Sequence, residues 1–315
     1  AGCGEQRMNK KTITAVLIAA GFLLITAAGA VLGLNYLDIQ PQSFQTREGT
    51  LTVAFDGTLI PVLNRLEADF EEQDDFLDLF ASRGSPRFTQ FTLQSPAAPT
   101  VGEYVALRRC IFKGDCEFVD NRIDLSDQVV HRGEQSLRFY AVPPQGNYVS
   151  KSSLDTTLLK IGNGDRLWFS GYFYAAEGMP RTLADFETSA MKWGPGPRLI
   201  LLGDLTGDPH LGLELKHGLK PTYRQEGDPT PFPRDRWVHV LLRVELSSQA
   251  DGLIQIWQDC QLIVSARGKT LPKAAAVLDR MQLGITAAQL ETTLYVDDVL
   301  LAVNPDSTQY ETFCP

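Results

Sequence analysis

The stretch RWVHVLLRVELSSQADGLIQIWQDCQLIVSA, residues 236–266, holds three apolar runs separated by short polar turns. In the first run every second residue from Val238 to Val244 is apolar, so these side chains share one face of a strand. The second run, 253–257, is apolar at all positions except Gln255, which predicts a strand with both faces partly covered. This order predicts three neighbouring antiparallel strands.

Strand patterns recur along the chain from about residue 103 onward. The further predicted strands are 136–142, 166–175, 198–205, 211–217, 281–286 and 293–303, with an earlier one at 51–55. They lie about 10–20 residues apart without helical periodicity between them, which favours an antiparallel sandwich over βαβ units. In the soluble part we expect helices only around 58–70 and 272–280. The predicted fold class is all-β, a two-sheet antiparallel jelly-roll sandwich with one N-terminal transmembrane helix.

Four segments carry a resemblance to a known family. They are HRGEQSLRF at 131–139, GDRLWFSGYFY at 164–174, RWVHV with DGLIQIWQD between 236 and 259, and LYVDDV at 294–299. Together they resemble the polysaccharide-lyase type of the concanavalin A-like jelly-roll group, over roughly residues 115–303. Because the motifs are structural, the resemblance implies the fold more directly than an activity. Cys260 stands where that family usually has a turn glycine, and this suggests that a disulfide restrains the turn.

The resemblance also implies a catalytic pattern. A lyase of this type needs a base for the proton next to a uronate carboxyl, an acid for the leaving oxygen and a group that neutralises the carboxylate. The family often places a Gln-x-His pair and a Tyr-x-Lys pair on its concave sheet. Neither pair is found here, and the segment 281–286 is apolar where the second is expected. We therefore predict no catalytic residues.

Several side chains remain as candidates for lining the concave face and binding a glycan: Lys192, Trp193, Arg198, His210, Lys216, His217, Tyr223 and Arg224. Trp193 is either an exposed platform that stacks on a sugar or a side chain that anchors its loop to the core. Asp185 and Glu187 have the spacing of the paired carboxylates of retaining glycosidases, although Glu187 is predicted to lie in a loop.

An apolar run without any charge, TITAVLIAAGFLLITAAGAVLGLNYL, occupies residues 12–37. At about 1.5 Å per residue it spans roughly 39 Å, enough to cross a hydrocarbon core of about 30 Å. Arg7, Lys10 and Lys11 precede it, so we expect a single-pass helix with its N-terminus in the cytoplasm and the main domain periplasmic or extracellular. The alternative is a signal peptide cleaved after 28–30. We favour an uncleaved signal anchor, because this segment is part of the chain.

Small residues form a packing seam on this helix. Gly29 with Gly33 and Ala15 with Ala19 have the small-xxx-small spacing that lets another helix approach closely. Such spacings also arise by chance in membrane helices, so a helical partner is one of two interpretations.

The composition excludes some partners. The net charge of -9 argues against nucleic acid as the main partner. An acidic run at 67–78 is either a solvated face or a calcium site, and it lacks the regular spacing of calcium-binding loops. Sequence motifs for phosphate, haem or zinc binding are not found, so we expect no metal and no cofactor.

Five cysteines divide between the two sides of the predicted membrane. Cys3 lies on the cytoplasmic side, and a lipidated Cys3 is the less favoured alternative. Cys110, Cys116, Cys260 and Cys314 form an even set on the oxidising side, where three connectivities are open. We favour Cys110 with Cys116 and Cys260 with Cys314.

The predicted organisation is a cytoplasmic tail, a membrane helix, a stalk with a first strand, an extracytoplasmic sandwich and a disulfide-tethered tail, at 1–11, 12–37, 38–66, 67–303 and 304–315. The missing catalytic pattern favours a non-catalytic accessory or scaffold subunit of a bacterial membrane complex, for example an energy-transducing or photosynthetic one. Its partners would be the lipid bilayer and other membrane subunits. The alternative is a cell-surface glycan-binding protein or polysaccharide lyase, with a polysaccharide as the partner.

Overall fold

The computed structural model describes most of the chain after residue 42. Backbone alone is described at 43–46, 49–53 and 59–61, and backbone with side chains at 63–85, 87–203, 209–216, 221–305 and 314. These residues belong to one compact unit, Gln40–Pro315. The predicted membrane helix with its packing seam, Cys3 and His217 lie outside the described residues. Within the described part, the helices are too short or too polar to cross a membrane.

Two antiparallel sheets form the sandwich. The seven-stranded sheet has the order β13-β12-β11-β10-β17-β8-β5, with β5 at Gln90–Gln94, β8 at Ser150–Thr156, β10 at Thr182–Glu187, β11 at Pro197–Leu202, β12 at His210–Leu215, β13 at Thr222–Tyr223 and β17 at Arg280–Ala288. The eight-stranded sheet has the order β16-β15-β14-β9-β18-β7-β6, and β4 also pairs with β18. Its bounds are β4 Arg65–Ala68, β6 Arg122–Ser126, β7 Ser136–Ala141, β9 Arg166–Glu177, β14 Trp237–Glu245, β15 Gly252–Gln258, β16 Gln261–Gly268 and β18 Thr292–Val303.

The core lies between the two sheets. Phe169 of β9 and Phe186 of β10 are both fully buried, and their rings meet edge to face with centroids 5.6 Å apart. Alternation along the strands sends every second side chain into this layer, which is why Val238, Val240 and Leu242 are buried. The other face of each sheet is therefore left for polar and functional side chains.

The one α-helix among the described residues, α1 at Val101–Phe112, was not predicted. It begins with a capping box, in which the side chains of Thr100 and Glu103 each accept a hydrogen bond from the other residue's backbone N–H. Phe112, at its end, packs against Phe80 and Phe91 with centroids 4.9 and 5.1 Å away. The helix therefore covers the edge strand β5.

The two predicted soluble helices are wrong. The segment 58–70 contains β4, whose residues pair with β18 from Val299 to Ala302. The segment 272–280 is irregular and leads into β17. Tertiary strand pairing overrides the weak helical pattern in the first case.

The predicted strands are confirmed, and others were missed. The region 38–66 was expected to hold one strand, but it contains a three-stranded antiparallel sheet of β1 Ser43–Thr46, β2 Gly49–Val53 and β3 Leu59–Pro61, besides the start of β4. Sequence analysis also missed β5, β6, β8 and β10.

Two disulfides restrain the sandwich. Cys110 bonds to Cys116 at the end of α1, with Cα atoms 5.2 Å apart, and Cys260 bonds to Cys314 with Cα atoms 5.4 Å apart. These are the two pairs that the sequence analysis favoured. The second ties Cys314 to the turn between β15 and β16.

Candidate functional site

A row of polar side chains crosses the outer face of the seven-stranded sheet. Residues that pair directly across neighbouring strands point to the same face of a sheet. The pairing runs through β12, β11, β10, β17, β8 and β5, and the six residues in register are Glu214, Arg198, Asp185, Gln282, Asp155 and Gln90. Residues far apart in sequence are thereby brought into one continuous polar row.

Asp155 is the most heavily bonded residue of this row. It is fully buried, and its carboxylate accepts hydrogen bonds from five side chains: Gln90, Thr92, Ser153, Arg280 and Gln282, at 3.3, 3.1, 3.3, 2.6 and 3.2 Å. A buried carboxylate with that many donors is held in one orientation and fixes the direction of each donor. Asp155 therefore orients Arg280 and Gln282 on the sheet.

A second ionic cluster adjoins it. Asp185 accepts hydrogen bonds from Arg198 at 3.0 Å and from Lys216 at 2.9 Å, and Lys216 also bonds to Glu187 at 2.5 Å. Arg280 lies 3.7 Å from Glu187 on the other side, so it joins the two clusters. The side chains of Lys216 and Arg280 are 9 and 13% exposed, whereas that of Arg198 is 27% exposed. Arg198 is therefore the most accessible of these three cations.

Burial and charge shift the pKa values of this face in different directions. Burial raises the pKa of Asp185 above its ordinary value, although Lys216 acts against it. Burial would also raise the pKa of Glu187, but Lys216 and Arg280 outweigh burial and hold that pKa below its ordinary value. Burial lowers the pKa of the Lys151 amine on β8, although Glu187 and Asp185 favour its charged form. The amine of Lys151 therefore loses its proton more readily than that of an ordinary exposed lysine.

The paired carboxylates do not have the arrangement of a glycosidase. Glu187 lies in β10 and not in a loop, which corrects the prediction. Asp185 and Glu187 both bind Lys216, and Asp185 is 1% exposed. Two carboxylates bridged by one ammonium act as an ion-pair network, because neither is presented to a sugar on its own.

The candidate glycan-binding residues occupy different places. Arg198 lies in the polar row, and His210 lies on the same face at the start of β12. Lys192 and Trp193 lie in the loop between β10 and β11. Arg224 is exposed and acts on His210, whose pKa is lowered by burial and by this charge.

The prediction that Tyr223 lines the concave face is wrong. It pairs with Leu213, a core residue, so its ring points to the inner face of the sheet, where it packs against the core. Strand alternation therefore separates Tyr223 from the polar row.

Sequence reasoning missed several members of the site, among them Lys151, Asp155, Arg280 and Gln282. The segment 281–286 was described as apolar, but Arg280 and Gln282 alternate with the buried Met281 and Leu283. Lys151, Ser153 and Asp155 alternate in the same way along β8. A search for polar residues at every second position of a short strand would have found both segments.

The other sheet carries a second cluster. A cavity of about 500 Å³ is lined by His131, Ser170, Tyr172 and His239, among other residues. The rings of His131 and Tyr172 stack with centroids 3.5 Å apart, and Tyr172 and His239 are 4.7 Å apart. Ser170 Oγ lies 2.8 Å from His239 Nε2. The backbone N–H of His131 donates to Asp297 at 3.1 Å.

Potential metal ligands come together once within the described ranges. His239, Cys260 and Cys314 have their ligand atoms within 4.8 Å of one another. The two sulfur atoms are bonded to each other. In the acidic run 67–78, Asp75 caps a short 3₁₀ turn. Its side chain accepts a hydrogen bond from the backbone N–H of Leu77.

Comparison with known proteins gives a family match and several similar structures. A model of the polysaccharide lyase family matches residues 102–299. The chain is similar to the endo-β-1,4-glucuronan lyase from the fungus Trichoderma reesei, at 12% identity and a TM-score of 0.46, over 68% of this chain and 95% of that one. It is also similar to alginate lyase Aly36B, at 11% identity and a TM-score of 0.46, over 77% and 97% of the two chains. None of the curated proteins matches the sequence.

The family match covers well over half of the chain and includes β8, β10, β11, β12 and β17 of the polar row. It contradicts the prediction of a non-catalytic accessory or scaffold subunit, which rested on the absence of two short motifs. The polar row supplies acids, bases and cations without those motifs. The chain belongs to the polysaccharide lyase family.

Proposed function

We propose that the protein is an enzyme that cleaves a uronate-containing polysaccharide by β-elimination, with its active site on the outer face of the seven-stranded sheet. One observation carries the proposal. Within the residues matched to the family, the sheet brings Lys151, Arg198, Lys216 and Arg280 to one face. Carboxylates of the protein pair with three of these cations, and Arg198, at 27% exposure, remains accessible to a carboxylate of a uronate polymer.

Arg198 neutralises the carboxylate of the sugar that is cleaved. Neutralisation makes the neighbouring C–H acidic, because the negative charge that develops on removal of the proton spreads into the carboxylate. Arg198 is held by Asp185 and remains accessible at 27% exposure, and a guanidinium matches the geometry of a carboxylate. Asp155 orients Arg280 and Gln282, which pair with β10 on the side opposite Arg198 and add donors to the same face.

Lys151 is the base. Burial lowers its pKa, and this shift favours the neutral amine that can take a proton. The proton leaves C5 of the uronate and goes to Nζ of Lys151. The electron pair of the C–H bond then forms the C4–C5 double bond as the C4–O bond breaks. The ammonium so formed returns the proton to the leaving oxygen, which balances the reaction and regenerates the amine.

The test is product formation from polyuronates. The wild-type protein and the control Lys160→Ala, which changes an exposed lysine outside the site, should form products with the ultraviolet absorbance of a C4–C5 double bond. Lys151→Ala should lose about 100-fold or more in kcat, as removal of a general base usually does. Arg198→Ala should also lose activity, since the developing charge is then not neutralised. Full activity in Lys151→Ala would refute the assignment of the base.

We also propose that this domain works outside the cytoplasm, attached to the membrane by residues 12–37 with the N-terminus inside. The two disulfides support this proposal, because such bonds persist in oxidising compartments. A polysaccharide substrate would be met there. Protease added to spheroplasts should remove the domain and leave the tail before residue 12 protected, whereas a protected domain would contradict this topology.

A further inference from the structure

The loop between β10 and β11 presents an aromatic side chain to solvent beside the polar row. Trp193 is 80% exposed, and it is the only aromatic among the largely exposed hydrophobic residues of the described ranges. Its backbone has a φ of +73°, in the left-handed region that a bulky residue rarely adopts. An indole that is both exposed and held in an unfavourable backbone conformation does not serve the core. This excludes the interpretation of Trp193 as a loop anchor.

The loop that carries Trp193 is firmly held. Ser189 binds Asp279 with both its backbone N–H and its hydroxyl, at 2.7 and 2.5 Å. The backbone N–H of Thr188 donates to Pro195 at 3.0 Å and closes the base of the loop. The indole is therefore presented by a fixed scaffold, which reduces the entropy lost when a ligand binds.

The loop also lies directly against the proposed active site. Gly194 follows Trp193, and a Cβ atom built on it would be 3.0 Å from Cδ of Glu187. Glu187 shares Lys216 with Asp185 of the polar row. The backbone N–H of Lys216 donates to Gly196, at the other end of the loop, at 3.0 Å. A polymer lying across the row therefore meets this loop as it leaves the sheet.

Lys192 places a positive charge beside the exposed indole of Trp193. Its Nζ lies 4.8 Å from the centroid of the Trp193 ring, so the ammonium covers one face of the indole. The indole presents an apolar surface that fits the C–H face of a pyranose ring, and the ammonium fits a carboxylate. Both groups together match one sugar of a polyuronate better than they match a neutral sugar or an isolated anion.

We propose that Trp193 and Lys192 form an accessory subsite that binds a uronate residue of the polymer beside the polar row. This inference rests on the proposed function for the identity of the polymer. The subsite holds the chain while a neighbouring sugar is cleaved over Arg198 and Lys151. Trp193 and Lys192 take no part in the proton transfer, so they contribute to binding and not to the chemical step.

The test separates KM from kcat on a polyuronate. Trp193→Ala should raise KM about tenfold and leave kcat within about twofold, because uniform binding is lost and the chemical step is not. Trp193→Phe should lie in between, and Lys192→Gln should raise KM and weaken its dependence on salt. The control is Leu262→Ala, which truncates another exposed hydrophobic residue, 46% exposed, on the eight-stranded sheet. It should leave both constants unchanged, and an equal KM in Trp193→Ala and Leu262→Ala would overturn the subsite.

Calorimetric binding of the same polyuronate distinguishes failure of the subsite from failure of the proposed function. If the wild-type protein binds the polymer without cleaving it and Trp193→Ala loses this binding, the subsite is supported and the proposed lyase function is refuted. If Trp193→Ala cleaves the polymer with an unchanged KM, the lyase function is supported and the subsite is refuted. A neutral glucan should give no binding heat with either protein, and equal binding of the glucan would overturn the role assigned to Lys192.

Discussion

Replacement of Asp155 by Asn tests whether the polar row is an ionic network in the folded protein. The carboxylate is fully buried and bonds to Arg280 at 2.6 Å. Asn has nearly the same size, but it removes the negative charge and turns an NH₂ group toward side chains that are themselves donors. Loss of one partner of a buried ion pair costs about 3–5 kcal/mol. Because Glu187 lies 3.7 Å from Arg280 and compensates in part, we expect the lower end, about 3 kcal/mol.

The assay is equilibrium unfolding in urea. The free energies of unfolding are compared between variants whose free energy falls with urea concentration at the same slope. The control is Glu67→Gln, which breaks the exposed pair of Glu67 with Arg65, with side chains 60 and 46% exposed. Glu67→Gln should lower the free energy of unfolding by less than about 1 kcal/mol. The double variant Asp155→Asn with Arg280→Gln should recover part of the loss, since the uncompensated charge is gone. A single variant Asp155→Asn within about 1 kcal/mol of the wild type would refute the reasoning.

Three further predictions concern stability. Burial raises the pKa of Asp297 from 3.8 to about 6, so the protonated form stabilises the fold and this contribution, about 3 kcal/mol, is lost as the pH rises from about 4 through 6. Asp297→Asn should flatten this dependence in urea unfolding at several pH values, and an unchanged profile would contradict the shift. Cys314→Ser opens a disulfide with a sequence separation of 54 and should cost about 4 kcal/mol, against about 2 for Cys116→Ser with a separation of six; equal unfolding midpoints would contradict the tether. Gly284→Ala should cost about 2–4 kcal/mol in thermal unfolding, because the φ is +107° and a Cβ atom would lie 2.6 Å from the ring of Phe139; a neutral variant would show that the ring can move.

Strand patterning was sufficient to predict the sandwich, and local chemistry explains the exceptions. β14 alternates and β15 is an almost continuous apolar run, and both were predicted to within a residue at each end. β8, with the sequence SKSSLDT, was missed because its outer face is charged and its inner face is built mainly from small hydroxyl side chains. Helix α1 was missed although the capping box of Thr100 and Glu103 is visible in the sequence.

The site was harder to predict than the fold because it depends on register between distant strands. Asp155 and Gln282 are 127 positions apart and touch only because β8 and β17 pair with these two residues opposite each other. A shift of one residue would send either side chain into the core. Arg198 was found because a cation in a strand is conspicuous, whereas Lys151 acquires its role only from the burial and the carboxylates around it.

The most direct test of the central claim is the mass of the products formed from a polyuronate in water enriched in heavy oxygen. β-Elimination adds no water, so the new non-reducing ends should be unsaturated, lighter than hydrolysis products by one water, and free of heavy oxygen. Lys151→Ala should form them far more slowly under the same conditions. Saturated products that contain one heavy oxygen, or no product from any polyuronate, would contradict the assignment of the polar row as the active site of a lyase.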